Sequence, residues 1–453
     1  MEIQLYNTLT HKKGLFSPIN HDRAKMFVCG PTAYDYIHIG NARTFIVFDT
    51  LARALRVSGL EVEYLQNITD IDDKIITRAS EEGVSPDELS KRFSRIFLDD
   101  AKSLNIKSVD KYPKATDHID EVVAQVKKLI EKKNVYLIEG DGWYFDLTTF
   151  PNYGKLSGRT VEMAEDGVSR IDASDKKRNK GDFCVWKISK PGEPSWDSDL
   201  GAGRPGWHIE DTAITEHYFG PQYDLHGGAE DLIFPHHEAE IAQQESASGL
   251  TPFVRTWIHV AFLTVDGKKM SKSLGNFYTM RDVEERGYSP LTFKYLCLGT
   301  HYRQKLNFTW EALEGAQNAY QKLIRTLAAS PLPEAAPPKE VRPPYPESKS
   351  AFDEAISDDL NTPRALAELW EVAHNPELAY EFDKVLGLGL SDSVAKYKNE
   401  KSVIPDEVKK ILQERELARV GKDWGKADEI RSKLATLGWR VEDSDSGQRV
   451  LPL

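Results

Sequence analysis

Residues 25–65 read KMFVCGPTAYDYIHIGNARTFIVFDTLARALRVSGLEVEYL. Lys25-Met26-Phe27-Val28-Cys29 is a short apolar run broken by Gly30-Pro31-Thr32, which predicts a buried strand ending in a turn. From Gly40, the apolar residues Phe45, Phe48, Leu51, Ala52 and Leu55 follow a helical period. Val62-Glu63-Tyr64-Leu65 then alternates as a strand does. Strand, loop, helix, strand is a βαβ unit, and such units build parallel sheets. Ligands in these sheets sit at the carboxyl ends of the strands. Cys29 and the loop 30–40 are therefore predicted to lie beside any substrate.

Working outward, residues 117–133 read as a helix. Residues 134–206 are rich in Gly, Pro, Trp and Asp and read as an irregular α+β insertion. Strand and helix patterns resume at 222–247 and 254–265. Residues 309–329 carry a strong helix pattern. SPLPEAAPPKEVRPPYPE, residues 330–347, reads as an extended proline-rich linker. Helices are predicted at about 349–387, then at 406–420 and 424–437 ahead of a short β-like end.

A chain of 453 residues suggests several structural units rather than one core. With 40% hydrophobic and 29% charged residues, the balance is that of an ordinary globular protein. No apolar run nears the ~20 residues that span a bilayer, and MEIQLYNTLTHKKG lacks a signal core. These features predict a cytoplasmic protein with no membrane partner. Cys29, Cys184 and Cys297 are too scattered for a disulfide framework. Cys184 and Cys297 lie in apolar runs and read as buried and inert. The net charge of -12 argues mildly against a nucleic-acid partner, but binding depends on local basic surface.

Two motifs carry chemistry. His38-Ile39-Gly40-Asn41 opens the first helix, where free N–H groups and the dipole suit phosphate; taken alone, His38 reads equally well as an idle loop histidine. Lys269-Met270-Ser271-Lys272-Ser273 puts two lysines on a loop that can neutralise charge on a transferring phosphate; alone, it reads more readily as a solvated basic turn. Together the two resemble the signature of class I aminoacyl-tRNA synthetases. Further stretches resemble the cysteinyl-tRNA synthetases: FVCGPT at 27–32, NITDIDDK at 67–74, GRPGWHIE at 203–210, HGG at 226–228 running to FPHHE at 234–238, and KDW at 422–424.

The resemblance implies ATP-dependent activation of L-cysteine and its transfer to tRNA(Cys), by a monomer. It implies an α/β architecture. A Rossmann-type parallel-sheet catalytic domain (1–116 and 207–265) would hold an α+β connective insertion (117–206). The KMSKS and stem-contact region (266–308), a helical bundle (309–398) and a small α+β anticodon-binding tail (399–453) would follow. It places ATP, with Mg²⁺, on His38, Gly40, Asn41, Lys269, Met270, Ser271, Lys272 and Ser273, and the amino acid near Gly30, Thr69, Trp207 and His226. It also implies one zinc ion that reads the substrate thiol, held by Cys29, His236 and Glu240, the last two spaced i,i+4 on one helix face.

The chain departs from the family pattern at Asp211, where a second cysteine is usual. Three readings stand open: Asp211 ligates zinc through oxygen, the other ligands hold zinc alone, or the site works without zinc. His237 reads either as a partner behind the ligands or as a surface histidine. The bundle between Asn361 and Gly387 looks shorter than is usual in the family. In the tail, Lys409, Lys410, Arg415, Arg419, Lys422, Lys426, Arg431, Lys433 and Arg440 offer local positive charge, with Trp424 and Trp439 available for base stacking. Arg303 faces either an RNA stem or the helical junction. Two rival functions remain: a ligase joining cysteine to a small amine, and a silent RNA-binding paralogue.

Overall fold

The computed structural model describes residues 1–159, 174–330, 345–402, 405–444 and 447–452. The quoted stretch folds as β1 (Arg23–Val28), α1 (Ile39–Val57) and β2 (Glu61–Gln66). Two later strands, β3 (Tyr223–Ala229) and β4 (Val254–Val260), complete a parallel sheet in the order β4-β3-β1-β2. In register, Phe27 lies opposite His226, and Val28 opposite Gly227 and Gln66. All four strands thus end on one edge.

Strand side chains alternate between faces, and here both faces are buried. Met26, Val28, Tyr64 and Leu225 pack into a core that includes Phe45, Phe48 and Leu51 of α1. Phe27, Cys29 and Leu65 point to the other face and share a core with the insertion. This parity explains the apolar run at 26–29, which is typical of a strand buried on both sides. It also decides which layer Cys29 meets.

The insertion opens with α2 (Ile119–Glu131). Strands Val135–Ile138, Gly142–Phe145, Phe183–Ile188 and Gly203–Pro205 then form an antiparallel sheet. Val122, Val126, Phe145 and Trp186 join Phe27 and Trp257 in one core, so this segment roofs the parallel sheet. Two helices, α3 (Ile209–Phe219) and α4 (Glu238–Ser248), lie in the same layer. On the opposite face α1 is tied down by charge. The buried Arg43 donates to the carbonyls of Ala261, Phe262, His301 and Gln304, at 2.6–3.2 Å.

The helical half comprises Trp310–Ala329, Tyr345–Ser357, Thr362–Glu371, Pro376–Leu386 and Leu390–Ser402. The last of these was not predicted, because LSDSVAKYKNEKS shows too few apolar positions to mark a face; among its described side chains only Leu390 and Val394 are buried. The predicted linker falls largely outside the described residues. The tail folds as expected into helices Asp406–Val420 and Trp424–Thr436 and a hairpin of Trp439–Ser444 with Gly447–Pro452. Val408, Ile411, Ile430, Leu434 and Val441 form its small core. Among the described residues no helix is long and apolar enough to cross a membrane.

Candidate active site and metal centre

Both phosphate motifs meet at the carboxyl edge of the sheet. His38 caps α1: its Nδ1 accepts the Asn41 backbone N–H at 3.2 Å. That bond leaves the ring proton on Nε2, free to donate outward. Burial, with help from the charge of Lys272, pulls His38 down to about 4, so it is neutral at physiological pH. A Cβ on Gly40 would come within 2.9 Å of the His38 ring, so the turn needs glycine.

The KMSKS segment crosses to the same place. The Ile39 N–H donates to Tyr278 O at 2.9 Å. Lys272 Nζ donates to Asp35 Oδ2 at 2.5 Å and sits 5.2 Å from the Phe277 ring centroid. Ser271 caps a short turn through Leu274. Lys269 ends an exposed two-residue strand, and its carbonyl accepts from Asn276. Asp35, which sequence reasoning did not mark, also pairs with Arg78 at 2.8 Å. Burial pushes its carboxyl up, but the Lys272, Tyr36 N–H and Arg78 bonds hold it below its usual value.

One pocket joins the His38 motif to a cluster of soft and acidic donors; the residues of the KMSKS motif do not line it, and Lys272 reaches it only through Asp35 on its wall. Its wall includes His38, Asn41 and Phe277 at one end, and Cys29, Asp211 and His236 at the other, with Gly30, Thr69 and Trp207 between. Cys29 follows β1, Asp211 lies in the first turn of α3, His236 just precedes α4 and Glu240 lies in its first turn. One donor atom from each falls within 4.8 Å of the others. His236 Nε2 stands 3.0 Å from Asp211 Oδ2 and 3.0 Å from Glu240 Oε1. Cys29 Sγ stands 3.4 Å from Asp211 Oδ2 and 3.9 Å from Glu240 Oε1. A tetrahedral zinc with bonds of ~2.0–2.3 Å has edges of roughly 3.3–3.8 Å. The spacings of 3.0–3.9 Å straddle that range, so small side-chain shifts fit the donor set to such an ion.

The electrostatics also fit a cation. Burial, then the charges of Glu240 and Asp211, push the Cys29 thiol well up. Glu240 and Glu210 are pushed up by burial and by neighbouring carboxylates. Glu240 Oε2 has no hydrogen-bond partner among the described residues. The histidines behind cannot supply charge. Burial holds His208, His226 and His237 far below their ordinary value and takes His259 to about 3. Acids that penalise one another in a dry site are what a bound cation relieves.

Second contacts orient the donors. Asn67 donates to Asp211 Oδ1 at 2.5 Å and accepts the Gly30 N–H at 2.6 Å. That approach is close: a Cβ on Gly30 would lie 1.7 Å from Asn67 O. Thr69 donates to Glu210, and His208 Nδ1 lies 2.7 Å from His236 Nδ1. Trp207 packs on the His236 ring at 4.7 Å. His226 is wholly buried behind Cys29, its Nε2 3.3 Å from Sγ, rather than on the pocket wall. His237 is no surface residue: its Nε2 lies 3.2 Å from Cys29 Sγ and its Nδ1 2.8 Å from His259. Cys29, His226, His237 and Glu240 thus form a second donor set, set back from the pocket. Only the layered packing brings these histidines to one point; Asn67 opens the NITDIDDK stretch, which pointed to no role for it, and Asp35 gave no signal of its own.

Cys184 and Cys297 are buried as expected, and burial takes Cys297 to about 12. Arg303 faces the helical junction, donating to Asp359 at 2.6 Å. Arg415 does not offer free charge: it is buried and paired with Asp443 at 2.9 Å. Trp439 packs on the tail core, while Trp424 is 59% exposed.

Residues 15–318 match the family model described as tRNA synthetases class I (C) catalytic domain. Residues 351–390 match a DALR domain, and residues 402–450 a cysteinyl-tRNA ligase anticodon binding domain. A cysteine--tRNA ligase of Heliobacterium modesticaldum is 42% identical over 99% of both chains. That of Methylobacillus flagellatus is 43% identical over 98% of both. Among solved structures, Mycobacterium tuberculosis methionyl-tRNA synthetase with methionyl-adenylate superposes with a TM-score of 0.55 at 18% identity, covering 84% of each chain. The LeuRS of an Agrobacterium radiobacter LeuRS–tRNA–LeuAMS complex gives 0.58 at 10% identity, covering 84% of this chain and 85% of that one. At such identities the two structures speak for the fold alone.

Proposed function

The chain belongs to the cysteinyl-tRNA synthetases, and from that premise we propose how its own residues divide the work. The enzyme is a class I ligase that activates L-cysteine with ATP and esterifies it to the 3′ adenosine of tRNA(Cys). The observation that carries the assignment of residues is the single pocket with a phosphate end at His38 and a thiol end at Cys29, Asp211 and His236.

At the phosphate end, the cysteine carboxylate attacks the α-phosphorus in line. A carboxylate–phosphorus bond forms as the bond to pyrophosphate breaks. His38 donates from Nε2, the positive end of the α1 dipole faces the phosphates, and Lys269 and Lys272 offset charge alongside the Mg²⁺ that accompanies ATP. No covalent enzyme nucleophile is needed, so positioning supplies the rate. The adenosine hydroxyl of the tRNA then attacks the acyl carbon and releases AMP.

At the thiol end, Cys29, Asp211, His236 and Glu240 would hold zinc, with Asp211 contributing Oδ2. Bound zinc would favour a thiolate and refuse a hydroxyl, giving a choice between cysteine and serine that pocket shape alone supplies poorly. Asn67 keeps Asp211 Oδ1 occupied, which aims Oδ2 at His236 and Cys29. Trp207 and Thr69 border the space left for the amino acid. We infer likewise a cytoplasmic monomer, as the family resemblance implies. The anticodon-domain match favours tRNA over a small amine as acceptor.

Lys272→Ala is expected to slow cysteine-dependent pyrophosphate exchange by at least ~100-fold while cysteine affinity changes little. An unchanged exchange rate would remove Lys272 from the mechanism. Aminoacylation of tRNA transcripts separates the ligase from both rivals.

A further inference from the structure

A second group of metal-type donors lies outside the pocket. His118 ends the short turn Ala115–His118, Glu121 sits in the first turn of α2, and His217 sits in the last turn of α3. One donor atom from each lies within 4.8 Å of the others. The Glu121 carboxylate spans the two imidazoles. Its Oε1 is 2.9 Å from His217 Nδ1, and its Oε2 is 3.7 Å from His118 Nδ1. The two rings stand 5.2 Å apart between centroids.

A half-exposed ion pair between His217 and Glu121 would account for part of this arrangement. It does not account for His118. That residue is only 6% exposed, yet its Nδ1 has no hydrogen-bond partner among the described residues. The Glu121 oxygen facing it lies beyond hydrogen-bond reach. A buried, unsatisfied ring nitrogen is costly unless something completes it. Tyr218 packs edge-on to the same ring at 5.5 Å and offers it only an aromatic face. The nearby cations are engaged elsewhere: Lys111 lies over Tyr218, and Lys128 pairs with Glu216 at 2.7 Å.

We infer that His118, Glu121 and His217 form a surface site for a divalent transition-metal ion of the zinc class, separate from the thiol-reading centre. Two imidazoles and one carboxylate make a borderline donor set that leaves an outward position for water. Burial pulls His118 below its ordinary value, against the pull of Glu121, which favours the unprotonated ring a ligand needs. The ion would staple the start of the insertion to α3, the helix whose first turn carries Asp211. It would join a seam already stitched by Gln125, which accepts from Thr212 at 2.6 Å and donates to Glu216 at 3.0 Å.

Metal-free full-length protein titrated with Zn²⁺, followed by elemental analysis after desalting, tests the site. His217→Asn and Glu121→Gln are each expected to bind one equivalent fewer than wild type. Cys29→Ser/Glu240→Gln, which removes the donors common to both pocket sets, is expected to keep that equivalent. With Co²⁺, the same pocket variant is expected to show weak visible bands and no thiolate charge-transfer band, since this site holds no sulfur. Unfolding midpoints should rise with Zn²⁺ in the pocket variant and stay fixed once His217→Asn is added. Equal stoichiometry in wild type, His217→Asn and Glu121→Gln overturns the proposal. Failure of the pocket alone would show as loss of sulfur-linked Co²⁺ absorption in wild type, with the His217-dependent equivalent retained.

Discussion

Asp211 is where this chain sets its own terms. A carboxylate in place of a thiolate keeps the formal charge but makes the centre harder, which weakens its preference for zinc over other divalent ions. Asp211→Ala should lower zinc affinity at least ~10-fold, read by chelator competition. Asp211→Cys should retain zinc more tightly than wild type. An Asp211→Ala protein with unchanged zinc affinity would leave the metal to the other donors. The sequence resemblance named Cys29, His236 and Glu240 and left the role of Asp211 open, and the fold places all four together. It could not distinguish His237, which shares its motif with His236 but turns toward Cys29 and His259. Nor could it see that Arg415 is spent inside the tail, because burial of a charged side chain depends on partners far away in sequence.

Among the elements, α1 carries the greatest electrostatic stake. Asp49, wholly buried, pairs with Lys294 at 2.9 Å and Arg53 at 2.8 Å, and accepts the N–H groups of Lys107 and Ser108 at 3.0 Å. Burial pushes its carboxyl up, but Lys294 and Arg53 pull it down to about 2. Burial also pulls Lys294 down, against Asp49. Lys294 shares its one carboxylate with Arg53, whereas Asp49 has two cations and two amides. The carboxylate is therefore the better satisfied partner. Asp49→Asn should destabilise by about 3–5 kcal/mol, leaving Lys294 buried without its paired carboxylate, while Lys294→Met should cost less. Urea unfolding checks both, and equal losses would contradict this ranking. The native carboxyl titrates below its unfolded value of 3.8, so its stabilising effect is complete above about pH 4. That contribution, about 2 kcal/mol, fades as the pH falls toward 2. The helix itself was legible, since Phe45, Phe48, Leu51 and Leu55 mark its period. Helix Leu390–Ser402 was not, because it gains order from packing rather than from its own pattern.

Across the whole molecule, activation and RNA reading lie at opposite ends of the sequence. Trp424 is exposed at the start of its helix, and Trp439 is engaged with the tail core. Trp424→Ala should lower kcat/KM for tRNA by about 10-fold, the scale of one stacked base, and leave pyrophosphate exchange unaltered. A fall in exchange would mean that the tryptophan serves the fold instead. Segment order and the parallel sheet were readable from residues 25–65. That the insertion shares its core with the sheet was not, since nothing local records which face Phe27 and Trp257 present. One carboxylate joins the distant parts. Asp359 accepts from the Tyr6 N–H at 2.8 Å, the Tyr302 hydroxyl at 2.5 Å and Arg303 at 2.6 Å, and its own N–H reaches Gln4 O at 3.0 Å. It binds the N-terminal hairpin of Gln4–Asn7 with Lys12–Leu15, the segment that carries the Arg43 acceptors and the helical half into a single joint. A welded joint transmits torque where a hinge would absorb it. RNA that bends the helical half must therefore either break four bonds at Asp359 or swing the catalytic sheet with it.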